Sequence, residues 1–214
     1  MILNKKLFAY FLLSAFTFIS ACDINPLCNP DPEILKLSAL AYQTQAADVD
    51  FNSSGFLTID NNVELNEGDS VSFDSYTIQV VSELDFVFSD PITSPRSQLL
   101  PSAYACSPVQ IIVDRIDSIK VYSLMDYSPD FLAGNECTEL FSFSCFAGDE
   151  ICNFKAIPLN ELNDNGTKVP FGFNLFLSDP PAQDGMYSFR VECYISGEGI
   201  GLSTHETKAV FISD

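Results

Sequence analysis

The stretch Tyr76-Thr77-Ile78-Gln79-Val80-Val81-Ser82-Glu83-Leu84-Asp85-Phe86-Val87-Phe88 decides the fold class. Its even positions hold Tyr76, Ile78, Val80, Leu84, Phe86 and Phe88, with Ser82 the one small polar member, while the odd positions include Thr77, Gln79, Glu83 and Asp85. Successive side chains of a strand point to opposite faces, so this period of two predicts one long half-buried strand, bent at Ser82-Glu83.

The same pattern recurs downstream. Val169, Phe171, Phe173, Leu175 and Leu177 form a second apolar face, and Tyr187, Phe189, Val191, Cys193 and Ile195 form a third. Ile111 to Val121 and Lys208 to Ile212 add β-branched runs. Asp164-Asn165-Gly166 reads as a tight turn, because Asn and Gly accept positive φ. Asp184-Gly185 marks the turn before the third face, and Gly197, Gly199 and Gly201 mark the return from it. Ile34 to Ala47 also satisfies a helix that starts at Asp31-Pro32, but Leu35, Leu37, Ala39 and Ala41 alternate, and consistency with the rest favours a strand. The expectation is an all-β, immunoglobulin-like β-sandwich with an additional N-terminal β region. The division runs 1–21 leader, 22–33 extended tether, 34–105 N-terminal β region and 106–214 sandwich region; whether the last two are one domain or two stays open.

The N-terminus has its own logic. Lys5 and Lys6 precede the apolar run Leu7 to Ala21, which ends in Ile19-Ser20-Ala21-Cys22. As a helix that run spans about 22 Å against roughly 30 Å of hydrocarbon, short for a membrane crossing. Ile19-Ser20-Ala21-Cys22 resembles a bacterial lipobox, which implies cleavage before Cys22 and acylation (palmitate among the chains) of that cysteine. Cleavage also removes two of the ten basic residues, so eight would face 29 acidic ones. A pI near 4.1 leaves no clustered cations for phosphate contacts and argues against nucleic acid as a partner. With 47% hydrophobic residues, the chain is also far from a disordered acidic tail.

The lipobox, Ser102-Ala103-Tyr104-Ala105-Cys106, Asp117-Ser118-Ile119-Lys120-Val121-Tyr122, Ala133-Gly134 followed by Leu140-Phe141, Asp179-Pro180-Pro181, Tyr187-Ser188-Phe189-Arg190-Val191, and Thr207 before Val210 and Ile212 together resemble uncharacterised lipoproteins of Bacteroidota. The resemblance implies an outer-membrane lipoprotein, facing the periplasm or exposed at the cell surface, and implies no activity. Asp69-Ser70-Val71 and Asp117-Ser118-Ile119 are similar to the acceptor for O-glycosylation in that group, which makes Ser70 and Ser118 candidate sites.

Catalytic constellations are poorly supplied, and the reading is a non-enzyme with no cofactor, no metal and no catalytic residue. His205 is the only histidine and reads as a solvated residue before the last strand; no Gly-x-Ser-x-Gly elbow accompanies it. Asp126 and Asp130 flank Tyr127, and Glu136, Glu139, Asp149 and Glu150 lie near cysteines, but as carboxylates they read as surface. Asp48-Val49-Asp50-Phe51-Asn52 imitates the start of a calcium loop, yet Ser53 stands where an EF-hand needs glycine and Ile59 where it needs glutamate. Lipidation of Cys22 leaves Cys28, Cys106, Cys137, Cys145, Cys152 and Cys193, an even number in an oxidising compartment, so up to three disulfides are expected. Spacing does not choose among 15 pairings; Cys145–Cys152, Cys193–Cys137 and Cys28–Cys106 are the guesses. The expected function is a lipid-anchored binding or structural sandwich at the outer membrane, in adhesion or complex assembly with a surface protein or glycan. The alternative is an accessory protein or enzyme in surface glycan capture or hydrolysis.

Overall fold

The computed structural model describes residues 33–51, 57–87, 110–145 and 156–214. The strands are β1 (Glu33–Phe51), β2 (Leu57–Glu64), β3 (Ser70–Ser72), β4 (Tyr76–Phe86), β5 (Gln110–Ile112), β6 (Arg115–Ser123), β7 (Phe141–Cys145) and β8 (Ile157–Pro158). They continue with β9 (Thr167–Lys168), β10 (Gly172–Leu177), β11 (Gly185–Tyr187), β12 (Phe189–Ser196), β13 (Leu202–Glu206) and β14 (Val210–Ser213). One short helix, α1, spans Leu159–Asn165. The expected all-β, sandwich-type fold is the observed one.

The largest sheet follows the order β2-β1-β4-β10-β7-β8 and the second the order β13-β12-β6-β9, all antiparallel; the third, β11-β14-β3, contains one parallel pair. Residues 34–87 and 112–214 form one compact unit, because β4 lies between β1 and β10. The regions that the sequence separates at residue 105 are therefore joined in one sheet, through the pairing of β4 with β10.

Period two explains the packing. Tyr76, Ile78 and Val80 of β4, Phe173 and Leu175 of β10 and Phe141 and Phe143 of β7 are buried on one side. Ile119 and Val121 of β6 and Phe189, Val191 and Cys193 of β12 are buried on the other, and all join one core. Phe189 ties the sheets together, with its ring 5.7 Å from Tyr76, 5.1 Å edge-on from Phe141 and 5.9 Å from Tyr127. Each such fully buried side chain contributes about 1.5–3 kcal/mol relative to exposure.

Three details differ from the sequence expectation. All six residues of β10 are buried, since this strand sits mid-sheet, whereas Phe171 just before it is 53% exposed. Asp164-Asn165-Gly166 is the end of α1, not a hairpin: Gly166 takes φ +61° and its N–H returns to Leu162 O at 2.8 Å. The helix is held by buried Leu159 and Leu162 and by Asn163, whose side chain both accepts from Ile119 N (2.7 Å) and donates to Ile119 O (2.8 Å). The strand over Ile34 to Ala47, by contrast, is present throughout.

Candidate functional site

Four places gather polar groups. The first is Asp114, fully buried between β5 and β6. Its Oδ2 accepts from Leu37 N at 2.6 Å, and its Oδ1 accepts from Glu198 N at 2.7 Å and Gly199 N at 2.9 Å. Its main-chain oxygen accepts from Val169 N at 3.1 Å. A buried charge is tolerable only with such partners, and here backbone donors supply them. The carboxylate holds β1 beside its register shift at Leu37/Ala39 and closes the turn between β12 and β13. Two glycines of that turn, Gly197 and Gly199, are steric necessities. A Cβ on Gly197, which has φ +138°, would stand 2.0 Å from Asp114 Oδ1, and one on Gly199 would stand 2.2 Å from Leu37 O.

The second is the pairing of Tyr42 and His205. His205 lies within β13 and faces inward, not solvated before the last strand as expected, because its register partner is the core residue Val191. Its ring stacks on Tyr42 of β1 at 4.7 Å and 3°. Tyr42 donates its hydroxyl to Ser203 Oγ at 3.0 Å, so one tyrosine spans from the largest sheet to the edge strand of the second. Burial lowers the imidazole pKa and keeps the ring neutral. This is a packing contact between sheets.

The third is the outer face of the second sheet. Register places Arg190 between Tyr122 and Glu206, Glu192 between Lys120 and Thr204, and Tyr194 between Ser118 and Leu202. The Arg190 guanidinium lies 4.7 Å above the Tyr122 ring, and its Nε approaches Glu192 Oε1 to 3.2 Å as an ion pair without hydrogen-bond alignment. Tyr194 donates to Glu192 Oε2 at 2.9 Å, which raises the phenol pKa, and Lys120 pairs with Glu136 at 3.6 Å. The result is an open, pre-ordered grid of two tyrosines and alternating charges.

The fourth is a cavity of about 300 Å³ between the loop that follows β6 and the turn before β11, lined by Asp126, Tyr127, Ser128, Pro129, Leu132, Ala182, Gln183 and Tyr187. The Tyr127 and Tyr187 rings meet edge-on at 5.1 Å. Both hydroxyls donate to main-chain oxygens, of Asp179 and Gln183 respectively, each at 2.6 Å.

The candidates from sequence are scattered over these places. Glu136 accepts from Thr138 Oγ1 at 2.8 Å besides pairing with Lys120, and Glu139 is exposed. Asp126 lines the cavity, and the Asp130 main-chain N–H donates to Ser128 Oγ. Asp48 accepts from Asn61 across the β1–β2 hairpin at 2.8 Å, and among the described residues no three metal-ligating side chains come together. Ser70 is exposed at the start of β3, and Ser118 is half-buried on the outer face opposite Tyr194. Cys22, Cys28, Cys106, Cys152, Asp149, Glu150 and the loop from Asn52 lie outside the described residues.

The cysteine expectation needs correction. Cys137 and Cys193 are both free and fully buried, with their thiols pushed up to about 12 by burial. The guessed Cys193–Cys137 bridge fails on geometry, because both belong to the same sheet side, with β6 between them. Cys137 N donates to Val121 O on one edge of β6, while Cys193 faces Ile119 from β12 on the other. Two strand spacings separate them by about 9–10 Å, beyond the roughly 7 Å a disulfide spans. Three bridges among the six are therefore excluded. Cys145 is disulfide-bonded.

Among the described residues no helix is long and apolar enough to cross a membrane. No family model, no curated protein and no solved structure matches the chain.

Proposed function

We propose that the protein is a lipid-anchored, non-catalytic β-sandwich that presents a binding surface at the outer membrane, in adhesion or complex assembly. The observation that carries this reading is the outer face of the second sheet. Arg190, Glu192, Tyr122 and Tyr194 are ordered by one another there. Elsewhere the groups with the most chemical capacity are spent on the fold, Asp114 on three backbone amides and His205 on Tyr42. Tyr and Arg held rigid on an open face carry binding energy at low entropic cost. Anchoring through Cys22 supplies the location, with the tether and leader as read from the sequence.

The test is made in the native envelope. Cys22→Ser moves the protein from the membrane to the soluble fraction, and a photo-crosslinker at Thr204 on the outer face gives one discrete adduct that Tyr194→Ala abolishes. An unchanged membrane pool for Cys22→Ser, or no adduct from Thr204, contradicts the reading. Glycan capture is the second reading, favoured by the presence of both Tyr122 and Tyr194 on this face. A polysaccharide adduct at Thr204 in place of a protein one would select it.

A further inference from the structure

We propose, resting on the outer-face reading above, that the partner is a protein that docks by adding an antiparallel strand to the free edge of β13, and that this strand is a basic extended segment.

Register fixes which backbone groups of β13 are available. Thr207 N donates to Phe189 O at 2.8 Å and Ile195 N to Gly201 O at 3.0 Å, and between them His205 faces Val191 and Ser203 faces Cys193. Antiparallel strands alternate bonded and outward-facing residues, so Gly201, Ser203, His205 and Thr207 serve β12. The N–H and C=O groups of Leu202, Thr204 and Glu206 therefore point away from it. β13 ends the second sheet, all three residues are exposed, and no described strand takes their backbone groups up.

The other described edges are shorter or blunted. β8 and β9 have two residues each, β8 with Pro158, and β3, β5 and β11 have three. β2 is longer but carries Asn61 at φ +52°, with Asp60 and Glu64 exposed. β13 runs five residues without proline, glycine, lysine or positive φ. Proline, lysine and bulges are what keep edges from pairing, so a regular edge without them is a template for a further strand.

The side chains of the edge set the chemistry of that strand. Glu136, Tyr122, Arg190 and Glu206 lie in one row across the outer face. Arg190 is ion-paired with Glu192, so Glu206 closes the row as an acid without an ion pair among the described residues. Cross-strand pairing of opposite charges favours Lys or Arg as the next member. The row of Tyr194 ends in Leu202, 51% exposed, and takes an apolar residue. On an antiparallel strand the basic residue comes first and the apolar one about four residues later on the same face. The net charge of -19 attracts such a segment and disfavours a second copy of this chain.

The test places a benzophenone crosslinker at Leu202 or at Thr204 of the full chain in the native envelope and maps the adducts by mass spectrometry. Both are expected on one segment of one protein, with the Leu202 site about two residues C-terminal to the Thr204 site, as antiparallel pairing requires. Thr204→Pro removes an outward N–H and no bond to β12, so the fold is kept and the Leu202 adduct falls at least about tenfold. Thr204→Val keeps that N–H and keeps the adduct. Glu206→Lys opposes the basic residue and lowers the adduct at least about fivefold. Adduct sites in the opposite order, an equal loss in Thr204→Val and Thr204→Pro, an unaffected Glu206→Lys, or an adduct with a second copy or a polysaccharide overturns the proposal. A Thr204 adduct that Tyr194→Ala abolishes, beside a Leu202 adduct that Thr204→Pro leaves intact, puts the partner flat on the sheet: the added strand is then wrong while the outer-face reading stands. No adduct from either position defeats both.

Discussion

Two aspartates show how one chemical group serves opposite ends. Asp114 is fully buried and saturated by three main-chain amides from two distant segments, with glycines giving the backbone room to approach. Asp126 sits in an exposed loop, accepts from one amide and lines a cavity. Saturation makes the first carboxylate a joint and leaves it nothing to offer a ligand. Incomplete satisfaction leaves the second with little structural responsibility. The distinction lies in the number of donors, since both residues follow a strand or precede one.

The largest difference between the regions is expected from their glycines. Gly197→Ala drives a methyl group into Asp114 Oδ1 at a backbone angle that side chains rarely adopt, and about 3 kcal/mol or more of unfolding free energy is lost. Gly134→Ala, in the cavity loop at φ +85° with nothing within 4 Å, costs only about 1 kcal/mol. Equal losses in urea unfolding would erase the comparison.

Amide exchange gives a second contrast without mutation. Leu37 and Gly199, bonded to Asp114, exchange only through global unfolding, while Ala133, bonded to Asp126, exchanges through local opening at least about a hundredfold faster. Similar protection for all three amides goes against the assignment of roles.

Thiol reactivity tests the core beneath both regions. Raised to about 12, the Cys137 and Cys193 thiols resist maleimide at neutral pH in the folded protein and are alkylated only in urea. Peptide mapping that finds either in a disulfide contradicts two free core thiols.

The smallest effect concerns His205. Its folded pKa is lowered below the ordinary 6.5 chiefly by burial, so the unfolded chain binds the proton first as pH falls. Stability is therefore level above about pH 6.5 and declines below it until the folded pKa is passed. His205→Gln flattens this part of the profile, and an unchanged slope between about pH 5.5 and 7 argues against the buried stack with Tyr42.

The β architecture was legible because it depends on period two, which survives in a single sequence. Tyr76, Ile78 and Val80 and the five apolar residues from Tyr187 to Ile195 are buried as their alternation nominates, whereas Leu84 is half-buried and Phe86 is exposed at the far end of β4. Strand order was not legible, since antiparallel neighbours such as β4 and β10 lie about a hundred residues apart and no local signal joins them. Asp164-Asn165-Gly166 misled because a glycine at positive φ ends a helix as readily as it turns a hairpin. Asp114 escaped notice inside an apolar run, although Gly197 and Gly199 are the signal of a backbone approaching something closely. Cys137 and Cys193 deceived because a shared inward face says nothing about the strand that lies between them. The cavity residues Tyr127 and Asp126 were legible as neighbours, but Ala182, Gln183 and Tyr187 reach them only through the fold.

The account is tested most directly by urea unfolding of Asp114→Asn beside Asp126→Asn in the same background. Both replace a carboxylate by an amide of equal size. At Asp114 the new amide turns donors toward donors, and a loss of about 3 kcal/mol or more is predicted, whereas Asp126→Asn retains its single acceptor and stays within about 1 kcal/mol of the parent. Equal destabilisation by the two, or a neutral Asp114→Asn, would contradict the division between a saturated structural joint and a sparingly bonded loop carboxylate.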